Sequence, residues 1–179
     1  MLSDAQLGLL TGFAFAVFYT FAGLPIASLA DRSNRRNIVA VSLTIWSGMT
    51  AISGLAQNYW QLLAARVGVG IGEAGGSPPS HSMISDIFPP EKRASAIGFY
   101  STGISIGILF GFLFGGWLNE FFGWRVAFFV VGIPGVLLAF VLYLTVPEPI
   151  RGLAENKAST GDNPSCLLYT SPSPRDHEQ

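Results

Sequence analysis

Four stretches of this chain, residues 5–30, 37–65, 94–119 and 126–147, contain no Asp, Glu, Lys or Arg. Charge covers the surface of a protein in water, and roughly a quarter of a soluble domain's residues carry it; here 12% do. Each run is long enough for an apolar helix of about 20 residues, the length that crosses a bilayer. The 37–65 run is too short for two spans, so a further helix must start near its end and continue through Arg66 and Glu73. The pattern therefore predicts an all-α membrane protein with five transmembrane helices, at about 6–29, 38–57, 61–85, 95–119 and 126–146.

The remaining charges set an orientation. Arg32, Arg35 and Arg36 fall in the first connection and Lys92 and Arg93 in the third, while Arg151 and Lys157 follow the last span. The second and fourth connections hold only one basic residue, Arg125, so the first and third are expected to be cytoplasmic. Tyr59, Trp60, Trp117 and Trp124 lie at the two outer turns, where amphipathic rings prefer the interface. The formal net charge of −1 gives no footing for nucleic acid. Met1 leads almost directly into a span, with no basic region or cleavage site of a signal peptide. That start places the first residues outside with nothing to carry them there, so a further helix is expected before Met1.

The tail reads differently. Residues 166–176, CLLYTSPSPRD, are the direct translation of a transposase sequencing adapter, so 166–179 is expected to be non-native. A Ser/Pro-rich disordered tail is the competing reading. The one cysteine, Cys166, lies in this segment, so the rest gives no redox information. An adapter-bearing read suggests environmental DNA and a bacterial inner membrane. Residues 150–165 read as the start of a flexible cytoplasmic linker.

Within the third span, Arg66 and Glu73 are seven residues apart, on one helix face and about 10 Å apart along the axis. Ionisable groups in hydrocarbon usually face a water-filled cavity or a partner. Burial favours the neutral carboxyl of Glu73 and a nearby arginine favours its carboxylate. A group so balanced suits proton coupling, with Arg66 as counter-charge or as ligand for an anionic headgroup. A structural ion pair is the bland alternative. Pro78 and Pro79 lack N–H groups and crowd the carbonyls of Ala74 and Gly75, which predicts a kink just past Glu73. Ser77 and Ser80 flank it, and His81 is a candidate proton shuttle or an ordinary packed residue. Gly103, Gly107, Gly111 and Gly115 form a small-residue face suited to close helix contact. In the first span, Phe13, Phe15, Phe18, Tyr19 and Phe21 either line a cavity or face lipid, and Tyr19 is the best cavity candidate because its hydroxyl needs a partner.

The first cytoplasmic turn, ASLADRSNRR at 27–36, resembles the signature loop between the second and third helices of the major facilitator superfamily, with Ala27 and Asn34 in place of two glycines. The third span resembles that family's fourth helix in Arg66, Gly70 and Gly72, and the added Glu73-Ala74 is similar to the Spinster-like branch. Gly123-Trp124-Arg125, Gly132-Ile133-Pro134-Gly135 and Pro147-Glu148-Pro149 also fit that branch. The resemblance implies that residues 1–149 form part of an N-terminal six-helix bundle, its helices two to six, whose partner is a C-terminal bundle absent from this chain. It implies a charge relay at the cytoplasmic gate built from Asp31, Arg32, Arg35 and Arg36 with Asp86. Gly98, Gly107, Gly111, Gly115 and Gly116 fit the spacing of a fifth-helix antiporter motif, but Phe112 stands where that motif has proline.

The function this resemblance implies is secondary active transport of an amphiphile or organic anion by alternating access, with Glu73 as the expected proton-coupling group and with no cofactor and no metal. No P-loop pattern is present to bind ATP. A receptor or scaffold that kept the fold without transport is the competing class. An intramembrane enzyme would need a second carboxylate or a His pair beside Glu73 and His81, and the spans hold neither.

Overall fold

The structure, a computed structural model, describes residue 6 and residues 8–155. The tail at 166–179 and the expected linker beyond residue 155 lie outside the described residues. Among the described residues every regular element is helical. A π-helical turn, Leu9–Phe13, leads into α1 (Ala14–Arg32). Then come α2 (Arg35–Ser53), α3 (Tyr59–Glu73), α4 (Ser77–Ile87), α5 (Pro90–Phe122) and α6 (Trp124–Thr145), followed by a short 3-10 turn, Leu153–Glu155. By length and composition α1, α5 and α6 are apolar enough to cross a membrane.

Local chemistry sets the boundaries. Asn34 caps α2 by accepting from the Asn37 N–H at 2.9 Å. Asn58 caps α3 by accepting from the Gln61 N–H at 2.9 Å, while the Gln61 side chain accepts from the Gln57 N–H at 2.8 Å. Gly123, at φ +80°, ends α5 and starts α6, a backbone conformation that a side chain would resist.

The single helix expected at 61–85 is two helices. Ala74, Gly75 and Gly76 form turns between α3 and α4. The cause is the proline pair: the carbonyls of Ala74 and Gly75 would have been capped by residues 78 and 79, which have no N–H. Pro78 and Pro79 therefore do not kink a continuous rod. They sit in the first turn of α4, where a missing donor costs nothing. α5 is also longer than the uncharged run, because Glu91, Lys92 and Arg93 already lie in its first turns.

The core forms around α2, which is sandwiched between α3 and α6. Lipid tails offer no hydrophobic drive between helices, so close backbone approach carries the packing. A Cβ built on Gly72 of α3 would lie 2.6 Å from the Trp46 nitrogen, and one on Gly132 of α6 would lie 2.5 Å from the Ala51 nitrogen. Three serines of α2 are buried along these faces: Ser47 against Gly132 and Gly135, Ser42 against Gly75, and Ser53 beside Arg66. The small-residue packing thus lies on α3 and α6. The stripe expected to make it, Gly103, Gly107, Gly111 and Gly115 on α5, has nothing within 4 Å of any of the four positions. α5 has no buried residue among those described, so its surface stays open along this bundle.

Candidate functional site

Two groups of polar side chains stand out. The first closes one end of the bundle. Arg35, the first residue of α2, is 1% exposed. Its Nη1 donates to the Asp86 carboxylate of α4 and, at 2.8 Å, to Ser82 Oγ. Its Nε donates to Glu148 Oε1 at 2.9 Å and its Nη2 to the Pro149 carbonyl at 3.0 Å. Glu148 Oε2 accepts from the Arg36 N–H at 2.7 Å, and Asp86 Oδ1 accepts from the Gly152 N–H at 2.9 Å. Arg151 donates to the carbonyls of Ala30, Asp31 and Ser33, the otherwise open C-terminal end of α1. The segment after α6 therefore stitches the ends of α1, α2 and α4 together. Burial works against the Glu148 carboxylate, but the Arg36 N–H and the Arg35 guanidinium outweigh it and hold its pKa below the usual carboxylate value.

Three departures from the expected relay follow. Arg35 and Asp86 are paired, but the Asp31 carboxylate makes no ion pair among the described residues, and only its main-chain carbonyl joins the network. Arg32 is exposed, and the Arg36 side chain turns away onto Asn37 and the Tyr143 ring. The cause is geometric: Arg35 lies on the inner face of α2 and its neighbours do not. Sequence reasoning passed over Glu148, Ser82, Pro149, Arg151 and Gly152 as members. Glu148 and Arg151 stand immediately past the last apolar run, and an acid between two prolines there was the available signal.

The second set of candidates lies along α1, α3 and α4, away from that end. Glu73 is the last residue of α3, at the break, with its side chain exposed and without a hydrogen bond or ion pair among the described residues. Arg66 does not pair with it. Its Nη2 donates to Ser53 Oγ of α2 at 3.3 Å, and its guanidinium lies over the Phe128 ring of α6, 4.7 Å from the centroid. Two turns of helix separate the charges, and the neighbouring helices offer Arg66 nearer partners. Ser77 opens α4. His81 is exposed with its ring edge-on to Tyr100 of α5 at 5.3 Å, and Tyr19 of α1 stacks on Phe15 at 5.7 Å. No hydrogen bond or ring contact among the described residues joins Glu73, Arg66, Ser77, His81 and Tyr19 to one another. No group of three or more His, Cys, Asp or Glu among the described residues is placed to hold a metal.

Comparison with known proteins places this arrangement. A family model described as Major Facilitator Superfamily matches residues 1–172. The chain is 37% identical over 145 residues to an MFS-type efflux pump of Mycolicibacterium smegmatis, covering 81% of this chain and 34% of that protein. It is 32% identical over 143 residues to a probable L-galactonate transporter of Escherichia coli, covering 80% and 31%. It is 28% identical over 170 residues to a probable sphingolipid transporter, spinster homolog 1, of Arabidopsis thaliana, covering 94% and 34%. The fold is similar to the crystal structure of a bacterial homolog of the human lysosomal transporter Spinster in an inward-facing, unoccupied conformation. The TM-score is 0.75 at 45% identity, over 89% of this chain and 39% of that one. The chain spans about a third of the length of the curated relatives it matches.

Proposed function

This chain belongs to the Major Facilitator Superfamily, in its Spinster-like branch, and on that premise we propose that it is part of a secondary active transporter that moves an amphiphilic or organic-anion solute by alternating access, driven by protons. Transporters of this architecture rock one bundle against another around a midplane site. The partner bundle would be the rest of the same protein. Sugar-acid and sphingolipid transporters among the relatives support an anionic or amphiphilic cargo.

The break at Ala74–Gly76 is the observation that carries this reading. Irregular backbone at membrane depth is tolerated where it lines a water-filled cavity or is buried in protein. Here it sits beside Glu73, a carboxylate with no partner among the described residues. Such a group in a span marks a proton or ion path. A carboxyl at that place takes a proton when the cavity opens to one side and releases it to the other. Arg66, held by Ser53 and Phe128 rather than by Glu73, keeps donors free for the anionic part of the solute. Tyr19, Ser77 and His81 are the polar side chains of α1 and α4 that would complete the solute path.

The Arg35 network is the gate at one end. The distribution of Lys and Arg supports assigning that end to the cytoplasm, in a bacterial inner membrane. In the rocking cycle the network would form in one state and loosen in the other.

The test is uptake of galactonate, and separately of a lysosphingolipid, into vesicles holding the full-length protein, with and without an imposed pH gradient. Glu73→Gln is expected to abolish gradient-driven accumulation while leaving solute exchange at equal pH. Undiminished accumulation by that variant would end the coupling role of Glu73.

A further inference from the structure

The outward face of α2 carries a ridge flanked by two grooves. Asn37, Val41 and Ile45 recur every four residues and share that face. Val41 is 58% exposed and Ile45 43%. On one side of the ridge is a groove of about 400 Å³, walled by Ile26 and Leu29 of α1 and Ile71 of α3. On the other is a groove of about 360 Å³, walled by Ala139, Phe140 and Tyr143 of α6. Both are walled mainly by apolar side chains, with the asparagines of the first at the Arg36 end, and Val41 and Ile45 line both.

One cation stands at the head of both. The Arg36 guanidinium donates to Asn37 Oδ1 at 3.0 and 3.2 Å, and Asn37 lines the first groove. The same guanidinium lies 4.9 Å from the centroid of Tyr143, which lines the second. No carboxylate among the described residues lies within ion-pair distance of it. Glu148 takes only the main-chain N–H of Arg36 and is occupied by Arg35. Arg32, exposed, ends α1 beside Ser33 and Asn34, which also line the first groove.

We propose that this face binds one anionic diacyl phospholipid, with its phosphate on Arg36 and one acyl chain on each side of the Val41–Ile45 ridge. The shape selects the occupant. A helix, about 10 Å across, would rest on the ridge and fill neither groove. Two apolar channels that converge on a single cation match two chains that converge on a single phosphate. A cation at the membrane edge without a carboxylate partner is complemented by an anionic headgroup. The orientation inferred above decides only which leaflet supplies the lipid.

Native mass spectrometry of the full-length protein tests this. The protein is released from detergent after incubation with equimolar dioleoylphosphatidylglycerol and dioleoylphosphatidylcholine. One phosphatidylglycerol is expected to be retained in preference to phosphatidylcholine. Arg36→Gln should lower its retention about fivefold, the effect of one basic group at an anionic lipid surface, and Arg36→Lys should restore most of it. Ile45→Trp, which fills the grooves from the ridge, should lower retention with the charge unchanged. Equal retention of the two lipids, or no effect of Arg36→Gln in a variant that melts like the parent, overturns the site. Competition by short-chain dihexanoylphosphatidylglycerol as effective as by the dioleoyl lipid overturns the placement of the chains.

Discussion

Arg35 and Glu148 are 113 residues apart in sequence and 2.9 Å apart in space, across an ion pair from which the arginine is almost wholly excluded from water. The pair fastens the segment after α6 to the first turn of α2. Breaking such a pair from one side leaves the other charges uncompensated and typically costs about 3–5 kcal/mol. Arg35→Gln strands both Asp86 and Glu148, so it should fall in that range, read by thermal unfolding of the full-length protein in detergent.

The same pair gives a pH signature. The folded-state pKa of Glu148 is depressed, so its bonds stabilise the fold fully above the unfolded carboxylate value of about 4.3 and are lost as pH falls through the lower folded value. Melting temperature should hold between neutral pH and about pH 5 and then drop on further acidification. Glu148→Gln should start lower at neutral pH and show a shallower acid drop. Parallel acid slopes for parent and variant would remove Glu148 from the explanation.

Arg151 makes a separable contribution. Its guanidinium supplies donors to carbonyls at the C-terminal end of α1, where the helix dipole also favours a cation. Arg151→Ala should cost about 1–2 kcal/mol and, more tellingly, should speed hydrogen exchange in residues 26–33 while leaving α6 unchanged. Uniform acceleration across the bundle would mean a global loss of packing instead.

The parts of this fold that could be read from residues are those written in local chemistry. Uncharged runs located helices, three of which (α1, α5 and α6) are apolar enough to cross a membrane, because burying charge away from water is costly wherever it occurs. The proline pair marked the weak point past Glu73, since a missing N–H acts on its own helix. Partner choice was not local. Nothing in spacing says that Arg66 turns to Phe128, 62 residues on, rather than to Glu73, or that Glu148 reaches back to Arg35. The α5 glycines and Gly132 look alike in sequence, and only the crossing of α2 and α6 decides which of them is needed for contact.

That difference is measurable. A methyl on Gly132 would meet the Ala51 nitrogen at 2.5 Å and the Ser47 carbonyl at 2.7 Å, both of them backbone that cannot swing away. Overpacking of this kind costs about 1–3 kcal/mol, so Gly132→Ala should lower the melting temperature clearly. Gly98→Ala on α5 meets nothing within 4 Å and replaces the weaker helix former. It should leave stability unchanged or raise it slightly. Equal losses at the two positions would mean that the α2–α6 crossing is looser than described.

The position of Arg66 leads to the last expectation, which concerns solute binding. Its guanidinium is held by one hydrogen bond at 3.3 Å and by the face of Phe128. The ring orients the cation without consuming its donors, which stay available to an anion. A cation–π contact of this kind contributes about 0.5–2 kcal/mol, equivalent to a few-fold change in affinity. Phe128→Leu keeps the bulk and loses the quadrupole. On the function proposed above, with galactonate as the test solute, gradient-driven uptake by that variant in the full-length protein should show KM raised about three- to tenfold with kcat little changed, whereas Phe128→Tyr should behave like the parent. A fall in kcat at constant KM would instead assign the ring to the conformational cycle and take Arg66 out of the binding step.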